Sequence, residues 1–115
     1  MQDSIETLAA AIYLRAASYI RTYGWQVEGM GTHGSPRCSM GAIASAYSEK
    51  KWDNNLSQIM YSSLYEELGG LTLTEFNHTY RDGEKVAKLY ERVAKRLINN
   101  SNVARRFLPL ASNHI

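Results

Sequence analysis

The chain has 115 residues, 44% of them hydrophobic, with a formal net charge of +2 and a single cysteine. That length suits one domain, and that apolar fraction can build one core without a metal or a staple. One cysteine excludes an internal disulfide and fits a reducing compartment, so a cytoplasmic location is expected. The chain opens Met1-Gln2-Asp3-Ser4, without the basic residues of a secretory leader. Its most apolar stretch, Leu8 to Leu14, is too short to cross a bilayer, and no membrane association is expected.

Asp3 and Glu6 have the spacing of a capping box, with Asp in the place usual for Ser or Thr. Ile5, Leu8, Ala9, Ile12, Ala16, Tyr19, Ile20 and Tyr23 then recur at helical spacing. This stripe predicts a helix over about 4–23, stopped by Gly24, which tolerates a left-handed backbone. Residues 25–37 hold three glycines and Pro36, and read as an irregular loop or short hairpin. Ser35 and Pro36 suggest the cap and first turn of a second helix, running from Arg37 to about Ser48. That helix is rich in small residues, which predicts a place at the centre of the packing.

Asp53 or Asn54 is expected to cap a third helix, with Leu56, Ile59, Met60, Leu64 and Leu68 inward and Gly69-Gly70 ending it. Residues 71–81 alternate weakly and predict a short strand or a helical turn. Asp82 caps a further helix whose inward stripe is Val86, Leu89, Tyr90, Val93, Leu97 and Ile98. A last short helix is expected over Val103 to Leu108, followed by a frayed tail at 109–115. The whole reads as mainly all-α: one helical domain over 1–108, a compact bundle of four to five helices with a glycine-rich loop at 25–37.

Three short motifs carry a resemblance: Tyr23-Gly24-Trp25, Cys38-Ser39-Met40-Gly41-Ala42-Ile43, and Phe76-Asn77 ahead of Glu84-Lys85-Val86. Over roughly residues 8–98 the chain resembles a family of small uncharacterised proteins from actinobacteria and their phages, known only as a domain of unknown function. The resemblance implies an intracellular phage or bacterial setting and brings no chemistry with it. That family tends to have Asn-Asp after the aromatic residue, whereas this chain has Asn77-His78. The departure argues against a carboxylate role there.

The candidate chemistry is sparse. A thiolate at a helix start has a lowered pKa, and a nearby imidazole lowers it further, so Cys38 with His33 or His78 forms a conceivable catalytic group. A small buried thiol is the simpler account. The histidines and the cysteine show no metal-ligand spacing, so neither a metal nor a cofactor is implied. The two irregular segments, if adjacent, would form a ligand-binding pocket from Trp25, His33, Arg37, Cys38, Asn77 and His78, with Met30, Phe76 and Tyr80 at its edge.

The C-terminal third is basic. Residues 79–106 carry eight basic and three acidic side chains, and Lys85, Lys88, Arg92 and Lys95 share one helix face, with Arg96 beside them. Glu84 with Lys88 and Glu91 with Lys95 have the spacing of helical ion pairs, which predicts a self-neutralising face. Nucleic-acid binding there, or a small phosphorylated ligand near residues 33–38, is the alternative function. Eight tyrosines and two tryptophans favour the leading expectation. This is a binding module, plausible as a phage or mobile-element accessory factor, that engages a protein partner or itself and does not act as an enzyme.

Overall fold

The computed structural model describes residues 5–47 and 54–100. They form five helices: α1 (Ile5–Tyr23), α2 (Ser39–Ala46), α3 (Asn54–Leu68), α4 (Leu73–Tyr80) and α5 (Gly83–Asn99). Among the described residues there is no strand. The loop between α1 and α2 holds only an isolated parallel bridge between Trp25 and Arg37. The expected all-α bundle is therefore the observed architecture.

Helices α1 and α5 make the largest interface. Ala9, Ala10, Ala16 and Ala17 line the buried side of α1, and Ala87 and Ala94 that of α5. Small side chains let the two backbones approach, and larger ones fill the remaining space. Leu89, Tyr90 and Val93 are fully enclosed. Burying an aliphatic side chain of that size contributes about 1.5–3 kcal/mol. The Tyr13 and Tyr90 rings meet in the core at 5.2 Å, and each hydroxyl donates to a backbone carbonyl, Met60 at 2.7 Å and Ser39 at 2.8 Å. Burial pushes both phenols well above their ordinary pKa, so both remain donors.

The structure corrects several expectations. The packing centre is α1, which touches α2, α3 and α5, rather than the small-residue helix α2. Helix α2 begins later than predicted: its cap is Cys38, whose sulfur accepts from the Gly41 amide. Ser35 instead closes the preceding turn, donating to the Thr32 carbonyl at 2.6 Å. Asn54 is the first residue of α3 rather than its cap. Tyr23 and Ile98, placed inward by periodicity, are each more than 40% exposed because they fall at the edge of their stripes. The expected helix over 103–108, the tail, and the possible Asp3 and Asp53 caps lie outside the described residues.

Residues 71–81 take the helical of the two alternatives, extended to the two turns of α4. Thr72 Oγ1 accepts from the Glu75 amide at 3.0 Å, and Glu75 Oε1 accepts from the Thr72 amide at 3.1 Å. This reciprocal box satisfies two amides that a helix start leaves open. Those bonds hold the Glu75 carboxyl below its ordinary pKa. Arg81, left-handed at φ 47°, ends α4 and returns its amide to the Asn77 carbonyl. Asp82 then caps α5 through the Glu84 amide.

Candidate functional site

The loop at 24–38 is drawn into a tight coil by Arg37 on one side and Tyr19 on the other. Arg37 donates to the carbonyls of Met30 and Gly31 and to Ser45 Oγ. Its guanidinium is therefore occupied in holding the loop on α2. The close fit also depends on Gly41, where a Cβ would lie 2.7 Å from the Met30 carbonyl oxygen. On the other side Tyr19 accepts from the Gly34 amide and donates to the Ser35 carbonyl at 2.7 Å. His33 packs against the same ring at 5.5 Å, tilted by 44°.

A buried relay joins this loop to α2 and α4. Trp25 Nε1 donates to Ser39 Oγ at 3.0 Å, and Ser39 Oγ donates to Asn77 Oδ1 at 2.7 Å. Ser39 is fully buried and Asn77 is 7% exposed. Trp25, Ser39 and Asn77 come from the three separate motifs that carried the family resemblance, and they meet here.

Beside this relay lies a cleft of about 400 Å³. Its walls are the 27–29 loop, the first turn of α2, α3 and α4. Tyr61, Leu64, Tyr65 and Leu68 form one apolar side, with Met40 and Leu73 opposite. Cys38, Asn77 and His78 also line it, so three of the six predicted ligand-binding residues share one space. His33, Arg37 and Trp25 do not line it, nor do Met30, Phe76 and Tyr80. Phe76 is buried and packs against the Tyr80 ring at 4.6 Å, tilted by 53°. At the rim His78 Nε2 is 3.1 Å from a Glu28 carboxylate oxygen, bridging the loop and α4. Segments 25–37 and 71–81, whose adjacency the sequence leaves open, are joined by this contact.

Sequence reasoning missed the α3 side of the cleft. Tyr61, Leu64, Tyr65 and Leu68 are spaced at i, i+3, i+4 and i+7, and only the leucines were assigned, to the core. Both leucines are buried, while Tyr65 is 61% exposed. A stripe wider than the core needs was the available signal. Among the described residues the Cys38 sulfur hydrogen-bonds only with Met30 Sδ and the Gly41 amide, and with no histidine. No cluster of three or more His, Cys, Asp or Glu side chains is present among the described residues.

The basic face is differently arranged from the expectation. Arg21 of α1 takes both glutamates that were to pair along α5, Glu84 at 2.8 Å and Glu91 at 2.7 Å. Arg92 and Arg96 are bound by Glu67 of α3, and Arg96 also by Glu66. These guanidinium groups hold Glu67, Glu84 and Glu91 below the ordinary carboxylate pKa. Lys85 lies over the Tyr80 ring at 4.8 Å. Lys88 and Lys95 make no ion pair among the described residues.

The described chain is thus an all-α domain with a ligand-sized apolar cleft and a polar relay at its base. Residues 4–96 match the model of DUF6197, a family of unknown function, and the chain belongs to that family. No curated protein and no solved structure matches it. No described helix is long and apolar enough to cross a membrane.

Proposed function

We propose that this domain acts by binding, and that the cleft between α3, α4 and the 27–29 loop receives an apolar segment of a partner protein. The observation that carries this reading is the Tyr61–Tyr65 edge, exposed on α3 beside buried Leu64 and Leu68. Tyrosine offers contact area with little side-chain entropy to lose, and such residues are enriched where proteins meet. The volume is also in the range of ligand sites. The lone cysteine and the family resemblance support an intracellular setting, in a bacterium or its phage, with a host protein as partner.

The test is photo-crosslinking in a bacterial lysate. Benzophenone-alanine at Tyr65 yields discrete adducts, whereas the same group at Lys88 does not. Identical adducts from both positions, or none from either, would remove the reading.

The second reading is nucleic-acid binding along α5, favoured by one observation: Arg21 takes Glu84 and Glu91, leaving Lys88 and Lys95 without a direct carboxylate. It ranks lower because Arg92 and Arg96 are already engaged. With Lys85, Lys88 and Lys95 on phosphates, log K falls against log salt with a slope of about −3. A slope near zero, or binding unchanged in Lys88→Ala/Lys95→Ala, excludes it.

A further inference from the structure

We infer that the cleft selects a neutral carbonyl group carried on an apolar body, and that the side-chain amide of Asn77 is the group that reads it. This rests on the proposal that the cleft is a binding site, and it names the chemistry of the occupant.

The argument begins with the two ends of one amide. Asn77 Oδ1 accepts from Ser39 Oγ at 2.7 Å. Ser39 is fully buried and does not line the cleft, so Oδ1 is turned into the protein. The amide is planar, and its other end, Nδ2, points away from Ser39. Nδ2 has no acceptor among the described residues, although Asn77 is only 7% exposed. Among the described residues every fully enclosed side-chain nitrogen or oxygen has a hydrogen-bond partner. Nδ2 therefore keeps its residual surface, and Asn77 lines the cleft. The result is a two-proton donor, held in one orientation by Ser39, facing an apolar space. With so little of Nδ2 open to water the donor is poorly hydrated, and a ligand that supplies an acceptor completes its bonding.

Two further observations set the charge of that acceptor. The lining contains no Lys or Arg. Its imidazole, His78, is already at 3.1 Å from the Glu28 carboxylate, which also lines the cleft. A carboxylate or phosphate entering here would be desolvated without a counter-ion and beside a like charge. A ketone, ester or amide oxygen brings none of that cost. The side chains of Leu64, Tyr65 and Leu68 then cover the apolar body. Two sources carry this chemistry: a small ketone or amide, and the backbone carbonyl of a peptide next to an apolar side chain.

The experiment is an NMR titration of the ¹⁵N-labelled protein with four matched probes. Benzylacetone and hydrocinnamamide are the neutral probes, hydrocinnamate is the charged isostere, and N-acetyl-phenylalanine N-methylamide is the peptide form. The expected result is saturable shifts of the Asn77 side-chain NH₂ signals by both neutral probes, with hydrocinnamate at least about tenfold weaker. Asn77→Asp keeps an oxygen for Ser39 and removes the donor, so benzylacetone binding falls by about tenfold in that variant. Should that variant fail to fold, the comparison of isosteres on the native protein decides. A peptide probe tighter than benzylacetone identifies a peptide occupant, and the reverse order a small molecule; either order supports carbonyl recognition. Hydrocinnamate binding as tightly as the neutral pair, or cleft signals shifting while the Asn77 NH₂ stays still, overturns the inference and leaves the cleft a binding site. Absence of binding by all four overturns both.

Discussion

Replacing Ser39 with alanine is the sharpest test of how the cleft is held. The Ser39 hydroxyl is the middle of a three-residue relay, accepting from Trp25 Nε1 at 3.0 Å and donating to Asn77 Oδ1 at 2.7 Å. Alanine fits the space but orphans both neighbours. Asn77 is 7% exposed, so water reaches its oxygen poorly and the loss there falls in the upper part of the range of about 1–3 kcal/mol. Trp25 is only half-buried, and water replaces part of its lost bond, which limits that loss to about 1 kcal/mol. The total is about 2–4 kcal/mol, a large share of the stability of a domain this size. Urea unfolding followed by circular dichroism measures it. In a Trp52→Phe background, Trp25 is the remaining tryptophan, and its emission shifts when its donor is released to water. In a double-mutant cycle, Asn77→Ala added to Ser39→Ala costs less than the two single effects together, because the second change removes an orphan made by the first. If Ser39→Ala stays within about 0.5 kcal/mol of wild type with unshifted emission, the relay contributes nothing and apolar packing alone holds the junction.

Four other outcomes are expected. Gly41→Ala destabilises by about 1–3 kcal/mol although alanine is the better helix former, because its Cβ meets the Met30 carbonyl oxygen at 2.7 Å and Arg37 Cβ at 2.8 Å; a raised melting temperature refutes this close approach. Thr72→Ala removes the α4 cap at a cost of about 1 kcal/mol, read as faster hydrogen exchange confined to α4 and the cleft rim. Arg81→Gly stabilises by up to about 1 kcal/mol, because the left-handed backbone at φ 47° is strained for any residue with a Cβ; calorimetry showing a loss contradicts it. Arg21→Gln lowers the melting temperature at neutral pH and loses its effect in acid. The folded-state pKa values of Glu84 and Glu91 are depressed by Arg21, so their contribution is present above the unfolded carboxylate value of about 4.3 and lost as pH falls through the folded values. A deficit in Arg21→Gln that persists unchanged at about pH 2 means that the side chain acts by packing instead.

Local rules made the helices legible. The α1 stripe, the Gly24 stop, the Asp82 cap and the α5 stripe all follow from chemistry within four residues along the chain, and apart from the exposed stripe edges Tyr23 and Ile98 they appear where that chemistry places them. The α4 capping box is equally local, for Thr72 and Glu75 stand in plain sequence. Leu71-Thr72-Leu73-Thr74 also alternates like a strand, so the local pattern alone leaves strand and helical turn both open. The later start of α2 has a tertiary cause: Arg37 is spent on the carbonyls of the loop, and Cys38 takes the cap position.

What the sequence determined by itself is therefore the class, four of the five described helices and the aromatic content available for binding. The site was decided by contacts between distant segments. Ser39 meets Asn77 across 38 positions, and Arg21 meets Glu84 and Glu91 across 63 and 70. No spacing rule reaches that far, because the partners are chosen by how α1, α3, α4 and α5 roll against one another. That roll turned Tyr61 and Tyr65 toward an open cleft, sent Glu84 and Glu91 to Arg21 in place of the lysines, and left one amide proton pair of Asn77 without a partner in the fold.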